Sequence, residues 1–296
     1  MKLFRVTRDA RNLTTFHALR SLTAEEIENF QHDSGLLHEF HRSREIVPLL
    51  LANAAEVQKA TFAADQVLEF AEEERGVKAR QAGGELNRAL VNFLTAMRLY
   101  LDHTETRLKR RYGNKAPVVR AFTTAASREF DDSAAYRILY KLRNYVQHCG
   151  LPVNTAGVAS KMGSKPGDPA VYEVAIGATV RVLLETYASW GKAKADLLAA
   201  GETIMPHLYV PSVLEALERI ERKTLTAEIP ELSGAATRLT NLLREGAAGE
   251  AVPVVVTLEM GDSETKIHLH EPPYGVLALF GLITINPDGR PVFDLK

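Results

Sequence analysis

Apolar residues at three- and four-residue spacing dominate the first two-thirds of this chain. Leu86, Leu90, Phe93, Leu94, Met97, Leu101 and Leu108 recur at that period, so a long helix is expected over 85–111. Gly83-Gly84 precedes it as punctuation, and Gly113 and Pro117 end it. Few breakers interrupt 45–75, where Pro48 fits a first turn. A shorter helix is expected over 118–130, and Asp132 or Ser133 can cap the next one. That next helix, 134–147, carries the sharpest pattern. At 100° per residue, Ala135, Ile138, Leu139, Leu142, Tyr145 and Val146 share one arc that must face a core. Arg137, Lys141, Asn144 and His148 fall on the opposite side, and Gly150 and Pro152 stop the helix.

Residues 154–172 change character. Lys165-Pro166-Gly167-Asp168 reads as a turn, the tip of a hairpin inserted over 153–176. Helical spacing resumes over 179–200, 211–223 and 232–244. The last 45 residues look like strands at 252–258, 265–270 and 276–285, with Asn286-Pro287-Asp288-Gly289 turning into 291–294. The expected fold class is therefore α+β and mainly α: a helical domain over 41–225, an N-terminal extension over 1–40, and a C-terminal helix with antiparallel strands over 226–296.

Composition narrows the function classes. Thirty-six basic and 37 acidic side chains give a net charge of −1 over 296 residues, which excludes a uniformly basic coat. One cysteine, Cys149, cannot make an internal disulfide, so a reducing, cytoplasmic setting is expected. The longest apolar run, 276–285, is half the ~20 residues of a membrane helix, and no membrane partner is expected. Asn12-Leu13-Thr14 is a formal glycosylation sequon without consequence in a cytoplasmic protein. No Gly-x-Gly-x-x-Gly, phosphate-loop, Cys-x2-Cys or His-Glu-x-x-His motif is present. Neither cofactor nor metal is expected.

The charge is uneven, however. Between Arg107 and Arg143 ten basic residues face three acidic ones. Such a stretch suits a phosphate backbone, with Arg110, Arg111, Arg137 and Lys141 as contacts and Tyr140 stacking on a base. It ends in Arg143-Asn144-Tyr145-Val146-Gln147-His148.

This motif, on a helix stopped by Gly150 and Pro152 and following a long amphipathic helix, resembles the signature of the HEPN superfamily of small helical domains. The signature is an arginine, commonly followed by Asn, with a histidine four to six positions later; Arg143, Asn144 and His148 match it. The resemblance extends over 45–152 and does not account for the N-terminal 40 residues or the C-terminal strands. It implies an antiparallel helical bundle, a homodimer, and metal-independent RNA cleavage leaving a 2′,3′-cyclic phosphate. It also implies a place in toxin–antitoxin systems or phage defence, with an antitoxin or other protein as partner.

The chemistry is coherent. Cleavage needs a base for the 2′-hydroxyl, an acid for the leaving 5′-oxygen, and a cation on the phosphorane. An imidazole, titrating at roughly 6.5, suits the first two roles for His148. Arg143 offers a fixed cationic fork, and Asn144 can orient ribose or phosphate. Arg143 and His148 point ~140° apart on an ideal helix, so they converge only if the helix unwinds near Gly150 or a two-fold axis joins two copies. The alternatives are a non-catalytic dimeric interaction protein or scaffold, and a nucleotide or small-ligand binder on the same polar face. His32, His38 and His41 near Glu39, His268 and His270 on one strand face, and the run Glu72-Glu73-Glu74 read as polar surface. Trp190 and His207 read as structural.

Overall fold

A computed structural model of the chain describes residues 1–8, 11, 13–161, 171–249, 251–260 and 264–293. Its architecture is α+β and mainly helical, in two compact units: Glu45–Ala227, and Met1–Arg44 together with Glu228–Lys296. The Asn12 sequon and the expected turn at Lys165–Asp168 lie outside the described residues. Among the described residues no helix is long and apolar enough to cross a membrane.

In the larger unit, α2 (Ile46–Asp65) and a 3-10 turn lead to α3 (Glu72–Tyr112), the central helix. The break expected at Gly83-Gly84 does not occur, and α3 begins 13 residues earlier than expected. The reason is packing. Gly83 is buried, and a Cβ there would stand 2.6 Å from the Ala156 Cβ, whereas nothing lies within 4 Å of one at Gly84. One glycine admits a strand against the helix. The other is merely tolerated, at up to about 1 kcal/mol. Gly84→Ala is therefore expected to raise unfolding stability by roughly 0.5–1 kcal/mol. Gly83→Ala is expected to lower it by about 1–3 kcal/mol. Urea titration of both variants checks the pair.

All seven apolar residues that predict the long helix are buried. Gly113, at φ 82°, ends α3, and α4 (Pro117–Asp132) starts with proline in its first turn. Ser133 caps α5 (Ala134–His148), its hydroxyl accepting from the Tyr136 N–H at 3.2 Å. Strands β3 (Thr155–Lys161) and β4 (Val171–Thr179) pair antiparallel, from Thr155 opposite Gly177 to Lys161 opposite Val171. The single helix expected over 179–200 is instead α6 (Val180–Thr186) and α7 (Ala193–Ala200). Trp190 lies between them, 1% exposed, stacked on Tyr145 with its indole N–H on the Leu183 carbonyl at 3.0 Å. Strand β5 (Thr203–Ile204) adds to β4.

The two helices expected over 211–223 and 232–244 are one, α8 (Val210–Arg244), with Pro230 inside. Val213, Ala216, Leu217 and Ile220 are buried before Pro230, and Leu232, Ala235, Ala236, Leu239 and Leu243 after it. That packing on both flanks outweighs the ~3 kcal/mol an internal proline costs.

The smaller unit joins the chain's two ends. Strands β1 (Lys2–Arg8), β2 (Thr14–Ser21), β6 (Val252–Met260) and β7 (Thr265–His270) form an antiparallel sheet in the order β2-β1-β6-β7. The first 40 residues thus supply two strands and most of α1 (Ala24–Arg44). Thr23 and Glu26 make a reciprocal capping box at α1, and Arg20 donates to Glu26 at 2.7 Å. This guanidinium holds the Glu26 carboxyl down to about 2. The strand expected over 276–285 is instead α9 (Tyr274–Leu279) followed by β8 (Thr284–Ile285). Pro272-Pro273 fixes the entry, and the Val276 and Leu277 N–H groups donate back to the Pro273 carbonyl at 2.9 and 3.1 Å, which closes a helical turn. The expected turn forms: Gly289, at φ 77°, donates to the Asn286 carbonyl as β8 meets β9 (Pro291–Val292).

Candidate functional site

Helix α5 presents the motif. Tyr136, Ile138, Leu139, Leu142 and Tyr145 anchor it in the core, and Ala135 and Val146 are half-buried. The helix stays regular through His148. Cys149 follows as its C-cap, donating to the Tyr145 carbonyl at 2.8 Å. The exit is then pinned. The Asn87 side chain on α3 donates to the Val153 carbonyl at 2.9 Å and accepts the Val153 N–H at 2.8 Å. Three residues before this clamp, Gly150 passes so close to Tyr145 that a Cβ there would stand 2.9 Å from the phenol oxygen.

At this fixed end His148 and Gln147 are exposed, and Arg143 and Asn144 are half-buried. The Arg143 guanidinium donates to the Gln147 side-chain oxygen and, at 3.3 Å, to that of Asn144. Asn144 and His148 are four apart and share a helix face, as do Arg143 and Gln147. Two stripes therefore reach the helix end, bridged by Asn144, with Arg143 and His148 still ~140° apart. No unwinding brings them together within one chain.

Two expected RNA contacts are already engaged. Arg137 is buried rather than on a polar face. It makes a two-pronged pair with Asp196 on α7, at 2.6 and 2.9 Å, and donates to the Phe130 and Asp131 carbonyls. Its guanidinium ties α5 to α7 and leaves little for a phosphate. Tyr140 is half-buried; Arg98 donates to its hydroxyl, and its ring packs against Phe130 and Tyr136. Burial also pushes the neighbouring Tyr136 phenol far up. Arg137→Ala is thus expected to cost about 3 kcal/mol in unfolding, since it strands a nearly buried carboxylate. It should leave RNA binding by the folded protein unchanged, as thermal denaturation and fluorescence anisotropy would show together. Lys141 is half-buried, its stem running beside Gly191. Arg110 is exposed and Arg111 half-buried near the end of α3.

The structure adds a basic groove that the sequence showed only in part. It lies between α4 and the first half of α8, encloses about 830 Å³, and ends at Ser133, the α5 cap. Arg120 and Arg128 belong to the expected basic stretch. Arg219, Arg222 and Lys223 come from α8 and close the other side. Their spacing along α8, i, i+3 and i+4, is the signal that places them on one face. From Ser133 to Arg143 is ten residues, about 15 Å along α5, so groove and motif are separate.

Three other histidines have local partners. His38 meets the Glu271 carbonyl at 3.0 Å, His268 meets Glu259 at 3.2 Å, and His270 meets the Thr257 hydroxyl at 2.9 Å. Burial lowers the pKa of His207. Among the described residues no three His, Cys, Asp or Glu side chains group as metal ligands. No protein family, no curated protein and no solved structure matches this chain.

Proposed function

We propose that this protein is a HEPN-like, metal-independent endoribonuclease whose active site is built from Arg143, Asn144 and His148. The observation that carries the reading is the pinned end of α5. An exposed imidazole, a cationic fork and an amide between them stand on one rigid helix end, on a face the core does not use. His148 would move the protons, Arg143 would take the phosphorane charge, and Asn144 would orient the ribose or phosphate. Because the helix stays regular, His148 and Arg143 of one chain diverge. The reading therefore requires a homodimer in which one copy's His148 faces the other copy's Arg143. In the toxin or defence role that the resemblance implies, a protein partner would act by covering this end of α5.

The test is incubation of end-labelled structured and unstructured RNA with the wild type in EDTA, followed by analysis of the product ends. Cleavage leaving 2′,3′-cyclic phosphates supports the reading. A folded protein that leaves both RNAs intact contradicts it. One observation favours a second reading in that event. Arg143 is satisfied by Gln147 on its own helix, as in a dimeric interaction protein that uses the same polar end without chemistry.

A further inference from the structure

The α4–α8 groove has no part in the chemistry above, and its charges are not balanced. Five cationic side chains line it, from Arg120 to Lys223, against the two carboxylates of Glu129 and Asp132. The Arg219–Glu129 pair is two-pronged, at 2.8 Å on both arms, and ties the two helices together. Glu215 reaches the same arginine from the rim at 3.9 Å. Arg219 is therefore structural. The Arg128–Asp132 pair, at 3.2 Å with both side chains mostly exposed, is the kind that contributes little and opens readily. Arg222 and Lys223 are exposed and make no ion pair among the described residues. Arg120 is exposed and donates to the Lys115 carbonyl. Uncommitted positive charge thus stands on both walls, with Arg120 and Arg128 separated by eight residues, about 12 Å along α4.

The floor between these charges is small and unstacked. Pro117, Ala121, Thr124 and Ala125 line it, and no aromatic ring does. A nucleobase finds no stacking platform there, whereas phosphates find cations on both sides. We infer that this groove is a second, sequence-independent site that binds the phosphate backbone of RNA, apart from the Arg143–His148 end of α5. The inference rests on the RNA reading of that end. Its consequence is a protein that grips RNA along α4 and presents a neighbouring segment elsewhere.

The test uses the full chain, a fluorescently labelled single-stranded RNA of about 20 nucleotides whose 2′-hydroxyls are methylated so that it cannot be cut, EDTA, and anisotropy across a salt series. The probe variant is Arg222→Glu with Lys223→Glu, two exposed positions whose change leaves the core alone. Wild type is expected to bind with a steep salt dependence. The double variant should bind at least tenfold more weakly, with a log–log salt slope shallower by about 1.4, or ~0.7 per lost phosphate contact. Polyglutamate of equal charge should compete poorly. His148→Ala should bind like wild type. Equal binding by wild type and double variant overturns the groove, even if the wild type cuts RNA. Displacement of RNA by polyglutamate at equal charge concentration also overturns it, in favour of an acidic protein segment. Binding that depends on Arg222 and Lys223 without any cleavage leaves the groove standing and removes the nuclease reading instead.

Discussion

His148→Ala is expected to lower EDTA-resistant RNA cleavage by on the order of 10²–10⁴-fold, the usual contribution of a positioned proton-transfer group. The fold should be untouched, because His148 is exposed at the last helical position and no core residue packs through it. Circular dichroism and the melting temperature should match wild type, and RNA affinity should stay within about twofold, within the spread of exposed substitutions. That combination separates chemistry from binding. His148→Gln, which keeps hydrogen bonding but cannot shuttle a proton at neutral pH, should be as inactive as the alanine variant. Equal cleavage by wild type and His148→Ala would place the chemistry elsewhere. Recovery of activity in the Gln variant alone would make His148 a positioning residue rather than the acid or base.

The second large effect concerns the frame behind that site. Trp190→Ala should destabilise the protein by about 3–5 kcal/mol, the range for removing a fully buried large aromatic. Trp190 is 1% exposed, stacks on Tyr145 at 5.9 Å, and meets Tyr187 edge-on at 5.4 Å. Tyr145 belongs to the last turn of α5, the turn that carries Asn144 and His148, so the cavity opens directly beneath the motif. The loss should therefore appear twice: as a lower urea midpoint, and as weaker protection of the 145–149 amides in hydrogen exchange. Trp190→Phe should recover most of the midpoint. If Trp190→Ala unfolds like wild type, the aromatic stack does not support the helix end.

These two effects also show what the sequence made legible. The α5 register was readable from a 3.6-residue period and a Gly-x-Pro stop, with the cap left between Asp132 and Ser133, and Ser133 is the one that caps it. The burial of Trp190 was readable too, although its setting was not. Leu183, Leu184 and Tyr187 suggested one continuous helix, while the chain turns at Gly191 with φ 56° and starts a new helix at Ala193. The break expected at Gly83 and the gap left between 223 and 232, where Pro230 lies, failed for a related reason. A glycine or proline stops a helix only when nothing pays for continuing it, and β3 at Ala156 and the buried flanks of α8 do so.

Arg137 was misassigned because amphipathic geometry gives direction and not partner. Its opposite number, Asp196, lies 59 residues on, and nothing local announces the pair. The N-terminal strands were missed although a signal was present. Thr23-Ala24-Glu25-Glu26 is a capping box, which marks α1 as a helix start and makes 14–21 a separate element. Pairing of β1 with β6, across some 250 residues, leaves no local trace at all.

The central claim is that Arg143 of one chain works with His148 of another. It is tested most directly by mixing two inactive variants, Arg143→Ala and His148→Ala, after dissociation and reassociation. Random pairing puts half of the dimers in mixed form, each with one intact composite site, so the mixture should regain about a quarter of wild-type EDTA-resistant cleavage. A mixture as inactive as either variant alone, beside an active wild type, would contradict the claim.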